Sequence, residues 1–150
     1  MTLLARLAAP AARPRVCADC ARLIDDEVAR KSGLSSLPLK AGFKLIKGLR
    51  PGFIPGAVDF LLDEFCETLQ PFYAEWSALP ETDRPPLGAE LQRQSERVAD
   101  ALLGVTDRRA ERSTNRVVLK TYRKLRGVAK GHVVAALPGL GRTIEPYLKD

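Results

Sequence analysis

Cys17, Cys20, Cys66 and His132 are the residues of this chain best suited to metal chemistry, because three thiolates and an imidazole make a Cys3His zinc site. Only Cys17-Ala-Asp-Cys20 has motif spacing; Cys66 and His132 stand alone, whereas zinc sites commonly draw a second ligand pair from close spacing. Cys17 and Cys20 also fall at helical spacing within an apolar stripe, where a free thiol behaves as a small hydrophobe. A thioredoxin-like role for the pair lacks the strand that would precede it. His132 is the sole imidazole, and no Ser, Cys or carboxylate is tied to it by a recognisable spacing, so no triad is assembled. Asp25-Asp26-Glu27 and the row Asp59, Asp63, Glu67 have the charge to attract a cation, yet such rows are more often solvated faces or partners of basic helices. Gly139-Leu-Gly141 lacks the strand and the Lys-Ser/Thr of a phosphate loop and reads as a turn. No enzyme activity, metal or other cofactor is therefore expected.

The pattern that remains is cationic. At about 100° per residue, Lys40, Lys44 and Lys47 share a narrow helix face with Leu39, Leu45, Ile46 and Leu49 opposite, and Arg116, Lys120, Arg123 and Lys124 repeat it with Val118, Tyr122, Leu125 and Ala129 opposite. If the two faces emerge on one side of the molecule they merge into a patch flanked by Arg50, Arg126 and Lys130. Phosphates or an acidic protein surface would be drawn to it with strong salt dependence. The net charge of +6 is concentrated in residues 80–150, which hold 14 Lys/Arg against 9 Asp/Glu. The expected partner is an acidic protein or anionic polymer, bound by Lys40, Lys44, Lys47, Arg116, Lys120, Arg123 and Lys124. Nucleic acid is the second reading, although interleaved aromatics and a recognition helix are missing. A membrane surface is the third, drawing on Phe53 and Ile54 in the loop Pro51-Gly-Phe-Ile-Pro55.

Positioning these faces requires helices. Period-2 alternation is absent while i, i+3, i+4, i+7 spacing recurs, so the domain is expected to be all-α. A first helix spans about Val16 to Lys31 and stops at Ser32-Gly33. A second runs from Pro38 to Arg50, before Pro51. A third starts at Pro55-Gly56, carries Val58, Leu61, Leu62, Phe65, Leu69 and Phe72, and is kinked or ended by Pro71. Residues 77–88, rich in proline, form a surface connection. Beyond it, helices are expected over Leu87–Leu103, in a short piece capped by Thr106-Asp107 that leads to a helix over Thr114–Arg126, and from Gly131 to Leu148 with a break at Pro138-Gly139.

The chain also repeats itself. Laying Gly56–Tyr73 over Gly131–Leu148 makes Gly56/Gly131, Val58/Val133, Leu62/Leu137, Thr68/Thr143 and Pro71/Pro146 coincide, and Arg22 and Asp25 match Arg97 and Asp100. This predicts a flexible arm over 1–15 and one helical domain over 16–150. The domain is a six-helix bundle of two three-helix units related by a pseudo-twofold axis, residues 16–76 and 89–149, joined by the linker 77–88. Three cysteines, an odd number, point away from a disulfide framework and towards a reducing compartment, with the cytoplasm as the expected location. No apolar run approaches the roughly 20 residues a bilayer-spanning helix needs.

Lys31-Ser-Gly-Leu-Ser35, Arg50-Pro-Gly-Phe-Ile-Pro55, Leu102-Leu-Gly-Val-Thr-Asp-Arg-Arg-Ala-Glu-Arg-Ser113, Leu125-Arg-Gly-Val-Ala-Lys130 and Ala136-Leu-Pro-Gly-Leu-Gly141 resemble a family of small bacterial proteins of unknown function. The similarity runs from about Leu23 onward. It implies a compact, soluble, helical protein and carries over no catalytic residue. The Cys17/Cys20 pair lies outside the pattern.

Overall fold

A computed structural model describes residues 1–149, and among these the chain forms seven α-helices. They are α1 (Leu3–Leu7), α2 (Arg13–Arg30), α3 (Leu37–Leu49), α4 (Phe53–Ala78), α5 (Leu87–Arg93), α6 (Ser95–Glu111) and α7 (Arg116–Ile144). Short 3-10 turns occupy Leu34–Ser36, Glu81–Asp83 and Glu145–Leu148, and there is no strand among the described residues. Among the described residues no helix is long and apolar enough to cross a membrane.

The stop signals of the first half act where the sequence places them. Pro14 sits in the first turn of α2 and Pro38 in the first turn of α3, where a missing N–H costs nothing. After α2 the chain turns at Gly33, whose φ of 87° lies in the left-handed region that a side chain disfavours. Pro51 follows the last residues of α3, and α4 begins two residues later.

Other expectations are corrected. The flexible N-terminal arm is instead a helix, α1: Thr2 caps it through its Oγ1, Leu3 and Leu7 are buried, and the Leu3 N–H donates to Gln70 Oε1 of α4 at 2.7 Å. Two leucines one turn apart suffice to dock a short helix on an apolar neighbour. Pro71 does not end α4, because Leu69, Phe72, Tyr73 and Trp76 on either side are buried and hold the helix across the missing hydrogen bond. The segment from 87 to 111 is two helices meeting at Gln94, and Thr106-Asp107 lies inside α6 rather than capping a helix. The cap that operates is Asn115, whose Oδ1 accepts from the N–H groups of Val117 and Val118, both at 3.1 Å. The helices expected over 114–126 and 131–148 are one helix, α7, which passes Gly127, Gly131 and Pro138 without a break before Ile144.

The core is built around α4, with Val58, Leu62, Cys66, Leu69, Phe72, Tyr73 and Trp76 facing inward. Val16 and Cys17 of α2, Leu87 and Leu91 of α5, Val98 of α6, and Leu137 and Ile144 of α7 close over them. Full burial of each large aliphatic contributes about 1.5–3 kcal/mol relative to exposure. Both α2 and α6 lie against α4 and α7. Ile54, offered with Phe53 as an exposed loop residue, is instead buried within α4, as is Trp76, whose indole N–H donates to the Pro85 carbonyl at 2.7 Å while the Arg84 guanidinium stacks 4.8 Å from its ring centroid. The connection is thereby strapped onto α4. At the far end of the bundle α5 and α7 pass backbone against backbone: a Cβ at Gly141 would lie 2.2 Å from Gly88 Cα and N.

Candidate functional site

Of the residues singled out for metal chemistry, α2 carries Cys17 and Cys20 and α4 carries Cys66, while His132 belongs to α7 beside Lys31. They do not assemble into a site. Among the described residues no group of three His, Cys, Asp or Glu side chains is placed to hold a metal ion. Burial pushes the Cys20 thiol up to about 11 and the Cys66 thiol up to about 12, so both are protonated and unreactive at neutral pH. Burial also raises Cys17, whose thiol lies 3.7 Å from Asp59 Oδ1. Burial, then the nearby Lys31 charge, lowers the His132 imidazole below its ordinary value.

Part of the acidic rows is paired: Asp59 and Asp63 with Arg13, Asp25 with Lys47 and Glu27 with Arg30. Arg13 at the start of α2 bridges Asp59 Oδ1 and Asp63 Oδ1 of α4, each at 2.7 Å, and also donates to the Asp59 carbonyl at 2.6 Å. The hydrogen bond from Arg13 holds the Asp59 carboxyl below the usual carboxylate range. Between α6 and α7, Asp107 accepts from Arg126 Nε at 2.8 Å and Nη2 at 3.0 Å, and from the Tyr122 hydroxyl, which also lies 2.8 Å from Thr106 Oγ1. Asp107 is lowered mainly by the Arg126 hydrogen bond, and Tyr122 is pushed up to about 12 by burial and by Asp107. Lys130 pairs with Asp100 at 3.0 Å and more loosely with Glu96 at 3.7 Å. A second groove, between α2 and the end of α7, holds Asp19, Arg22, Asp26, Glu27, Arg30 and Arg142. Its charges largely answer one another: Arg30 binds Glu27 and Arg22 reaches Asp19 at 3.5 Å.

The two cationic helices have a different fate. They cross at Gly42 of α3, where a Cβ would lie 3.0 Å from Thr121 Cγ2 and 3.1 Å from Leu125 Cδ1 of α7. Lys40 and Lys44 stand two residues either side of Gly42 and Lys47 five beyond it, so at 3.6 residues per turn all three lie on the side of α3 away from α7. Lys44 and Lys47 are exposed and Lys40 is half-buried. Lys47 is neutralised by Asp25 of α2. On α7, Arg116, Lys120, Arg123 and Lys124 are all exposed and line an open trough along the helix with Leu119. Among the described residues none of these four, nor Lys40 or Lys44, has a carboxylate at ion-pair distance.

The rows therefore do not fuse into a single ridge. Between them lies an apolar strip. Leu39 and Ile46 of α3 are buried as expected, but Leu45 and Leu49, which the wheel sets opposite the lysines, are exposed. They lie on the outer side of the seam with α7, the side on which Lys124, Val117 and Val128 of α7 are also exposed. Two features escaped the sequence reading. Residues 32–58 and 112–144, which contain α3 and α7, hold no Asp or Glu at all, a signal available in the residue order but diluted in a whole-chain net charge. The exposed leucines had no separate sequence signal, because helical spacing alone does not say which part of a wide apolar arc finds a neighbour.

Residues 3–148 match a protein family described as a family of unknown function, DUF6918. The chain belongs to this family. No curated protein and no solved structure matches it. Among the described residues the chain thus leaves Lys40 and Lys44 of α3 and Arg116, Lys120, Arg123 and Lys124 of α7 without carboxylate partners, while most carboxylates lie on α2, α4 and α6.

Proposed function

We propose that this protein is a non-enzymatic binding module that engages an anionic partner through the outer face of α3 and the first half of α7. The observation that supports the reading is charge segregation. Two helices without a single carboxylate lie side by side, and among the described residues Lys40, Lys44, Arg116, Lys120, Arg123 and Lys124 have no ion-pair partner. Cations kept only for solubility need no such separation from acids, whereas cations kept for a partner do, since a neighbouring carboxylate would weaken the attraction. Burial raises the Cys20 and Cys66 thiols to about 11 and about 12, which makes them poor nucleophiles and favours a role without catalysis. Three unpaired cysteines fit a reducing compartment such as the cytoplasm.

We read the fold as a doubled three-helix unit, with α3 and α4 of the first copy answering the two halves of α7. The repeat-related residues Phe72 and Tyr147 each lie under an arginine, Arg97 of the second unit at 5.4 Å and Arg15, just before the first unit, at 5.9 Å. The acids Asp25 and Asp100, also matched by the repeat, each take a lysine from the following helices, Lys47 and Lys130.

Chromatography of the full chain on heparin tests the binding reading. Retention that falls steeply with added salt is expected. Elution in the void at low salt would end it. Duplex DNA bound as tightly as heparin, with a site preference, would move the assignment to the nucleic-acid reading.

A further inference from the structure

Beyond a generic anionic partner, and resting on that reading, we infer that the α3–α7 face is a docking surface for an anionic phospholipid bilayer. Six of the large hydrophobic side chains that the protein exposes belong to this one region: Leu34 at 85%, Leu37 at 55%, Leu45 at 50% and Leu49 at 56% on and before α3, and Val117 at 42% and Val128 at 43% on α7. Leaving four leucines of a 16-residue stretch in water is unfavourable unless something covers them, and an exposed apolar strip rimmed by polar groups marks an interaction surface. Here the rim is made of lysine and arginine on both sides. Lys44 borders the strip on α3 beside Leu37, and Lys120 and Lys124 border it on α7, with Arg116 and Arg123 further round and Lys40 on the far side of α3.

That combination selects the occupant. A nucleic-acid duplex offers phosphates and grooves but nothing to receive a row of leucines. A second copy of the chain would bring its own acid-free cationic face against this one, which repels. An anionic leaflet offers both parts at once, phosphate charge at the depth of the long basic side chains and acyl chains below it for the leucines. This is the division of labour of an interfacial amphipathic helix. The helix need not unfold or span the bilayer, because α3 already lies on the surface of the bundle with its apolar strip outward and Gly42 holding it to α7.

Flotation of the full chain with phosphatidylcholine vesicles, with and without phosphatidylglycerol, tests the inference beside heparin retention. Binding to the anionic vesicles is expected, with partition to neutral vesicles weaker by about ten-fold or more. In Leu45→Ser/Leu49→Ser, vesicle binding falls by about ten-fold or more while heparin retention is unchanged, since only the apolar part is lost. In Lys120→Glu/Lys124→Glu both fall. All three proteins keep the same helical circular dichroism, because the altered side chains are exposed. Retention on heparin without flotation on anionic vesicles would overturn the lipid assignment and leave the cationic-face reading standing, with an acidic protein or nucleic acid as the occupant. Unchanged flotation of Leu45→Ser/Leu49→Ser would also overturn it. Absence of binding to both probes would overturn both readings.

Discussion

The two halves of α7 belong to one unbroken helix and behave as different materials. From Leu137 onward the helix is core: Leu137, Gly139, Gly141 and Ile144 are buried, a Cβ at Gly139 would meet Leu23 Cδ1 at 2.7 Å, and one at Gly141 would meet the backbone of α5. From Arg116 to Ala136 no residue is buried, the cations Arg116, Lys120, Arg123 and Lys124 face solvent over three successive turns, and Gly127 and Gly131 have nothing within 4 Å of an added Cβ. The first half is held by contacts along one side only, through Thr121 and Leu125 to α3 and through Tyr122, Arg126 and Lys130 to α6. The contrast teaches that the second half secures the fold and thereby lends the first half a stable helix on which to display charge.

The sharpest break in that comparison is a methyl group. Gly141→Ala places Cβ against two backbone atoms that cannot rotate aside, so the α5–α7 crossing must open, and a loss of about 3 kcal/mol or more is expected by chemical denaturation. Leu137→Ala, emptying a site only 1% exposed, is expected to cost about 3 kcal/mol. Asp107→Asn weakens the tie between α6 and the first half of α7, and because both partners are partly in water its cost is about 1 kcal/mol or less. This carboxyl is held below its ordinary value, so its contribution is present above the usual carboxylate range and is lost as pH falls through its lowered value. Below that value the wild type and Asp107→Asn should converge in stability, as acid titrations of thermal unfolding would register. The same glycine-to-alanine change at Gly127 has the opposite sign, a gain of about 0.5–1 kcal/mol, since the methyl meets nothing and the unfolded chain loses freedom.

How much of this was legible beforehand depends on what kind of neighbour a residue needs. The ends of α2 and α3 follow from Gly33 and Pro51, which act on the backbone within a residue or two and so can be read locally. The thiols were placed correctly on an apolar face of α2 by spacing alone. The continuity of α7 was not legible. Gly127, Gly131 and Pro138 look like punctuation, and only the packing of α5, α6 and α2 along the helix shows why it continues. Likewise Thr106-Asp107 has the composition of a cap, but those side chains serve Tyr122 and Arg126 across the helix interface while Asn115 caps α7. The cationic residues were legible one by one. Their arrangement was not, because the crossing at Gly42 turns the lysines of α3 away from α7 and brings Leu45 and Leu49 to the surface between the two rows.

The most direct measurement pairs affinity with stability in one protein, Lys120→Glu/Lys124→Glu. Both side chains are exposed and, among the described residues, without ion-pair partners, so the unfolding free energy in urea should stay within about 0.5 kcal/mol of wild type. Heparin retention should fall sharply, with elution at markedly lower salt. Retention equal to wild type in a protein of unchanged stability would show that the first half of α7 binds no anion and would contradict the account.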